Sequence, residues 1–548
     1  MSRLRLFVSA ALFGTVWLCY LPGTMGCSDS MWSIPTAVSL VDHGDITLDE
    51  YRSILEARQF VLTERIGGHV YNLYPIGTSI LAMPGVIVLR PLAAAVKRMA
   101  PGLWTRLEGV QADRGCPVAD GEPILALSSW TERLIAAALV AATAVIVFLI
   151  AADELSVPWA VALSLLFAFG TSAWSTASRA LWQHGPSMCL LGIALLLQRR
   201  GGRAVWIGLV LAFAYVVRPT NAIAFTAAAA WVLVTRPRQV PEFLAGAAFV
   251  LAPFLLFNVR VYGQWLAPYY RPGFYASNAF IGEALAGNLI SPNRGLFVFS
   301  PIFLLALAAF AANAWSRRLT RLDLSLAGCV VTLWIATAVA NGHWWAGHSY
   351  GPRFFTDVLP YLMVFLIPVA GWLRSSEGSR RVAVAALLAV TSIVSVGMHA
   401  QGALNTHTAL WNTYPVNIDF EPVRVWDWRR PQFLAGLTFT PQPAPPVDLH
   451  AVVCTAAPGA PGTPVVVSNA GGTVELRWAP APGPVAVYIA DVGNRPGTSN
   501  LPARAVRDVA HPVLVAQRVP RGIYYVRVRA ANGCGSSPPS AELLVTVR

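Results

Sequence analysis

LYPIGTSILAMPGVIVLRPLAAA, residues 73–95, decides how this chain is threaded. The run is apolar and long enough to span a bilayer. Pro75, Gly77, Pro84 and Gly85 interrupt it, which reads as a re-entrant segment or one lying at the interface. Other apolar runs of spanning length lie near 4–22, 131–151, 157–175, 186–198, 204–217, 219–235, 241–257, 297–314, 323–340, 355–373 and 381–399. Loop charge tests whether 73–95 crosses, because cytoplasmic loops carry the excess of Lys and Arg. With the N-terminus inside and 73–95 not crossing, RRGGR (199–203), TRPRQ (235–239), SRRLTR (316–321) and RSSEGSRR (374–381) all fall in the cytoplasm. If 73–95 crosses, all four fall outside. The first arrangement wins, although it leaves the basic 96–114 stretch outside. It predicts a polytopic α-helical membrane protein with about 11 transmembrane helices and an external C-terminus.

Composition agrees. Of the 548 residues 55% are hydrophobic and only 12% charged, against about 25% charged in soluble domains. The net charge of +13 is scattered in short loops between apolar runs, the distribution of topology signals rather than of a nucleic-acid surface. Nucleic acid is therefore excluded as a partner, and the lipid bilayer is the first one implied. Seven cysteines without a CxxC offer no zinc or redox motif. The start, MSRLRLFVSAALFGTVWLCYLPG, has the basic and apolar parts of a signal peptide. In a polytopic chain it reads as a retained first span.

The same threading collects the unusual polar sequence outside: CSDSMWS (27–33), SRALWQHGPS (178–187), RPTN (218–221), the 259–296 loop and NGHWWAGHSYGPRF (341–354). The cytoplasmic loops are short and bland. Ionisable residues at a membrane boundary are costly and mark sites, so any chemistry belongs to the external face. Within the external loop 23–130, Asp29 stands where the first span leaves the bilayer. An amphipathic stretch ending in HGD (43–45) follows it.

After about residue 435 the pattern changes. A Pro-rich linker (436–447, with PQPAPPVDL) precedes short β-rich runs from 448 to 548, among them TVELRWA, VAVYIADVG and GIYYVRVRAAN. Alternation in YYVRVRA puts Tyr525, Arg527 and Arg529 on one face and Tyr524, Val526 and Val528 on the other. This tail resembles a fibronectin type III domain, an all-β sandwich, with Trp478 as the core tryptophan. Cys454 and Cys534 lie in it, either as a disulfide or as two unpaired thiols.

Residues 1–435 resemble the GT-C superfamily of membrane glycosyltransferases. The nearest likeness is to the family 39-type branch of protein mannosyltransferases and aminoarabinose transferases. The residues that carry it are Asp29 through Asp45, YNLYPIGTSILAMP, GTSAWSTASRALWQHGPS, ISPNRGLFVFSP and WWAGHSYGPRF. Where that branch often has two adjacent acids, Ser30 follows Asp29, which argues against a two-carboxylate metal site. The resemblance implies transfer of a sugar from a polyprenyl-phosphate donor to an acceptor protein, lipid or glycan. It also implies an external (periplasmic) active site in a bacterial cytoplasmic membrane.

That chemistry assigns roles. An acceptor hydroxyl needs a general base, and Asp29 is the candidate. The leaving lipid phosphate needs fixed cations, and Arg forks suit phosphate. Arg179, Arg218, Arg294 and Arg353 are the candidates, with His184, His348 and Tyr350 beside them and Tyr71 and Tyr74 to line the sugar pocket. Glu132 is expected to pair with one of these arginines, and Asp42, Asp45 and Asp49 to cap helix starts. No cofactor is required, and no metal ligand set is visible, although a divalent metal is compatible with the chemistry. Two other classes compete. A transporter or flippase for a lipid-linked glycan would also carry boundary arginines, but it predicts internal repeats and polar groups at the midplane, which the chain does not display. A receptor built around the tail leaves Asp29 and the basic external loops unexplained.

Overall fold

A computed structural model describes residues 2–57, 62–114, 116, 121–271, 278, 280–419, 421–443, 447–470, 472–499, 501–519 and 522–547. Residues 58–61, 115 and 117–120 of the external loop, 272–277 and 279 of the 259–296 loop, and 444–446 of the linker lie outside the described residues.

The first half contains α1 (Arg3–Tyr20), α2 (Ser33–Asp42), α3 (Arg52–Ala57), the hairpin β1–β2 (Thr63–Ile66, His69–Asn72), α4 (Gly77–Met99), α5 (Pro101–Asp113), α6 (Pro123–Ala126), α7 (Ser128–Ala151), α8 (Val157–Phe169), α9 (His184–Arg199) and α10 (Ala204–Val217). Then come α11 (Ala222–Thr235), α12 (Val240–Tyr262), α13 (Ile281–Ile290), α14 (Leu296–Phe299), α15 (Ile302–Trp315), α16 (Arg321–Ala340), α17 (Leu359–Val364), α18 (Ile367–Ser375), α19 (Gly378–Leu404) and α20 (His407–Leu410). Among the described residues six helices are long and apolar enough to cross a membrane: α1, α4, α7, Pro237–Tyr262 containing α12, α16 and α19. A seventh is the bent pair Arg353–Val364 and Ile367–Leu373, which turns by 43°. The other expected spans form helices of 13 to 16 residues, such as α8, α9, α10 and α15. At 1.5 Å per residue they reach only about 20–24 Å.

The interruption expected within residues 73–95 is not seen after Gly77. Gly77–Met99 is one unbroken helix with Pro84 and Pro91 inside it. A proline removes one ladder donor, and neighbouring segments compensate in membrane helices. Ala82 and Val86 on α4 pack with Trp32, Val38, Ile124, Leu125 and Ile135. Gly77 lies against the backbone of Val216 and Val217 at the end of α10. α4 therefore packs on α2 and α6, and meets α7 at its first turns and α10 at its last turn.

Small residues allow the closest helix contact. A Cβ on Gly208 of α10 would collide with the Phe243 carbonyl of α12, and one on Gly246 with the Val205 carbonyl. Close backbone approach at small residues is how helices associate where water supplies no driving force.

The tail holds a three-stranded sheet, β3 (Val465–Ala470), β4 (Thr473–Arg477) and β7 (Val513–Ala516), in the order β3-β4-β7. A second sheet runs β10-β8-β5-β6, with β9 paired to β8, from β5 (Val487–Gly493), β6 (Leu501–Val506), β8 (Gly522–Asn532), β9 (Gly535–Ser536) and β10 (Leu543–Val547). Leu476 and Leu514 from the first sheet share one apolar cluster with Tyr488, Val526, Val528 and Val545 from the second. Trp478 is buried in that cluster, edge-on to Tyr488 at 5.7 Å. Val526 and Val528 are buried, while Arg529 turns the other way to Asp491 at 2.6 Å. Cys454 and Cys534 form a disulfide. The tail rests on the helical part: Arg518 pairs with Glu283 of α13, which also accepts the Trp426 indole N–H at 2.7 Å.

Candidate functional site

The chain leaving α1 is fastened before it reaches Asp29. Arg179 spends all five N–H donors inside the protein, on Ser178 Oγ and on the carbonyls of Tyr20, Pro22 and Ala403. The Tyr20 carbonyl belongs to the last turn of α1, where helices leave acceptors unsatisfied, and Pro22 follows just beyond it. Arg133 holds the carbonyls of Tyr20, Pro22 and Gly23 in the same way. Thr24 N–H donates to Ala403 O at 2.7 Å and Gly26 N–H to Arg179 O at 3.1 Å. Cys27 then forms a disulfide with Cys116, 89 residues on, with Cα atoms 5.5 Å apart. Asp29 follows in the turn that leads into α2.

Arg353 comes to meet it. Gly351, at φ +62°, turns the chain against the Phe299 ring, where a Cβ would clash. After Pro352 a short 3₁₀ turn runs Arg353–Val358. Arg353 Nη2 donates to Asp29 Oδ2 at 2.6 Å, and its guanidinium lies 4.8 Å over the Trp182 ring. Its Nε donates to His184 Nε2 at 3.1 Å. The other ring nitrogen, Nδ1, is 2.9 Å from Asp357 Oδ1, and Arg218 pairs with Asp357 Oδ2. Tyr270 completes the row, interacting with Arg218 and donating its hydroxyl to Gln183 at 2.8 Å. Tyr269 packs on Tyr74 with ring centroids 4.3 Å apart and the rings tilted by 39°, and both phenols are within electrostatic reach of Arg353.

The row alternates in sign: Asp29, Arg353, His184, Asp357, Arg218. Its inner members are buried, with Asp357 at 1% and His184 at 4% side-chain exposure. Its outer end is open, with Asp29 at 31%. Burial opposes the charge on Arg218, and Asp357 with Tyr270 more than restores it, so the guanidinium sits above its ordinary value. Burial pushes the Tyr270 phenol up, against Arg218. Among the described residues, Asp29 Oδ1 and both protons of Arg353 Nη1 make no hydrogen bond. The site presents an accessible carboxylate oxygen beside an accessible guanidinium edge.

Of the residues singled out from sequence, Asp29, His184, Arg218, Arg353 and Tyr74 meet here. The others do not. Arg179 is the clamp described above. Arg294 is buried with all five N–H donors committed to Trp345 O, Asn293 O, Gly347 O, Gln432 and Asn412, so no N–H is left for a phosphate. Tyr350 is buried against Phe299 and donates to Met398 O at 2.6 Å. His348 lies on a separate surface, 2.9 Å from Asn417. Tyr71 stands in β2, edge-on to Tyr262. Glu132 is buried and accepts the Leu181 N–H at 3.4 Å. The acids after Asp29 do not cap helices: Asp42 pairs with Arg90, Asp45 holds Ser39 and Thr47, and Asp49 holds His69 and the Val70 N–H.

Sequence reasoning missed Asp357, Tyr269, Tyr270 and the Cys27–Cys116 pair. Asp357 had a signal: a carboxylate inside the otherwise apolar run 355–373. Among the described residues no group of three or more His, Cys, Asp or Glu side chains is arranged to hold a metal ion.

No protein-family model matches the chain. No curated protein matches it in sequence. The functional reading therefore rests on the row of side chains itself.

Proposed function

We propose that this chain is a membrane glycosyltransferase that moves a sugar from a polyprenyl-phosphate donor to an acceptor hydroxyl at the outer membrane boundary. The observation that carries the reading is the Asp29–Arg353 pair, with Trp182 beneath it and Arg218 behind it. Asp29 takes the acceptor proton as the new C–O bond forms at the sugar carbon. The phosphate oxygen leaves with the electron pair of the bond that breaks. Arg353 and Arg218 supply fixed positive charge for that phosphate in a site sheltered from water. Arg294 and Arg179 are built into the scaffold instead.

The threading follows from the same loop. Among the described residues between Cys27 and Cys116, only α4 is long and apolar enough to cross. A single crossing would leave the two cysteines about 30 Å apart on opposite faces. Their disulfide supports the reading in which α4 lies along the outer surface, packed on α2 and on the ends of α7 and α10. Disulfides also belong to oxidising compartments, which supports a common external side for this loop and the tail. Eleven spans, an N-terminus inside a bacterial cytoplasmic membrane and a fibronectin type III-like sandwich outside complete the proposal.

Membranes containing the chain, supplied with a panel of polyprenyl-phosphate sugars, should form a covalent glycan product. Asp29→Asn should lower that transfer by about 100-fold or more. Movement of lipid-linked sugar across the bilayer without product would favour the transporter reading.

A further inference from the structure

Asp357 is buried to 1% among apolar helices and contacts neither Asp29 nor the open end of the site. We propose that Asp357 is a positioning residue: by accepting from His184 and Arg218 at once, it sets the orientation of Arg353 and thereby the phosphate-binding edge. This rests on the reading of the site as a phosphate-binding one.

The hydrogen bonds fix the protons. Arg353 Nε carries a hydrogen, so His184 Nε2, 3.1 Å away, must present a lone pair. His184 is then neutral with its proton on Nδ1, and that proton goes to Asp357 Oδ1 at 2.9 Å. Arg218 Nη1 donates to the other oxygen, Oδ2. Two donors sharing one small carboxylate are forced side by side, which accounts for the 2.9 Å between Arg218 Nη1 and His184 Nδ1. Only a carboxylate satisfies both. An asparagine would turn its NH₂ toward one of the two donors.

The consequence reaches the open end. With its Nε held by His184, Arg353 directs its Nη2 to Asp29 and leaves Nη1 for an incoming oxyanion. If the imidazole took the other tautomer or were protonated, Nε2 would carry a hydrogen, and Arg353 would lose its anchor and rotate. Asp357 also holds Arg218, so both phosphate cations depend on one carboxylate that never touches the ligand.

The test uses the full chain purified in detergent, with farnesyl phosphate as probe and farnesol as its uncharged counterpart. The wild-type protein should prefer the phosphate, and absence of any preference would sink the phosphate-binding reading itself. Asp357→Asn should weaken farnesyl phosphate binding by about tenfold or more and leave farnesol binding unchanged. His184→Gln keeps an acceptor for Arg353 but loses the donor to Asp357, and should give a smaller loss of the same kind. In the His184→Gln background, Asp357→Asn should cost clearly less than it does alone, since the two act through one contact. A carboxylate that only supports folding would lower the thermal midpoint without changing the phosphate-to-alcohol ratio, and that result overturns the proposal. Wild-type binding in Asp357→Asn, with binding lost in Arg353→Ala, overturns it too and leaves the phosphate reading standing. Should Asp357→Asn fail to accumulate, an unchanged ratio in His184→Gln is the overturning result.

Discussion

Asp29 and Arg353 stand 324 residues apart in the chain and meet at 2.6 Å. The proposed base and the proposed phosphate ligand are thus one ion pair until a substrate divides them. Substitutions should separate their roles. Asp29→Asn should lower turnover by about 100-fold or more while farnesyl phosphate still binds, measured as transfer rate and probe affinity on the same preparation. Arg353→Ala should lose both, and Arg353→Lys should recover only part, because an ammonium cannot make the forked contact.

The Cys27–Cys116 disulfide sits two residues from Asp29. Cys116→Ser should leave the long helices intact but loosen that loop, costing about 2–4 kcal/mol. Hydrogen exchange should rise between residues 24 and 32, and transfer should fall. Unchanged protection there would remove the disulfide from the architecture of the site.

Threading predicts labelling. Single cysteines replacing His43 or Arg429 should react with an impermeant reagent from outside, and those replacing Arg203, Arg318 or Arg380 should not. Reaction at Arg203 from outside would mean that α4 crosses and that every later helix is reversed.

Acid should loosen the α2–α4 contact. The Arg90 guanidinium, hydrogen-bonded to Asp42 at 2.6 and 2.7 Å, holds that carboxyl below its ordinary value. A carboxyl lowered in the folded state binds protons more readily once unfolded, so its contribution is present at neutral pH and lost as pH falls through the folded value. Exchange protection in α2 should therefore hold from pH 7 to about 5 and decline below about pH 4. Asp42→Asn should flatten that decline.

Trp478 closes the tail's apolar cluster. Trp478→Ala in residues 448–548, produced under oxidising conditions, should lower stability by about 3–5 kcal/mol. A denaturant titration of the two proteins measures it.

Most helices were legible because apolar runs of fixed length leave little choice of structure, and Asp29, His184, Arg218 and Arg353 were legible because ionisable side chains at a membrane edge are costly. What a side chain touches was not legible. Arg294 and Arg353 look alike in sequence, each after a Pro in a polar external stretch, yet one is saturated by carbonyls and amides and the other has an open edge. Pro84 reads as a break because its cost in water is high, while the folded chain carries it inside α4. Asp357 hid inside an apolar run, and Cys27 and Cys116 gave no spacing from which to pair them.

The contact between Arg518 and Glu283 changes what the tail is. A body hung on the Pro-rich stretch 436–447 alone would swing on a semi-rigid spacer up to about 37 Å long. Anchored on α13, with Gly472 against Phe280 as well, it sweeps nothing. Every face of the tail is then held at one distance and one angle from the helices, as on a ruler and not on a leash.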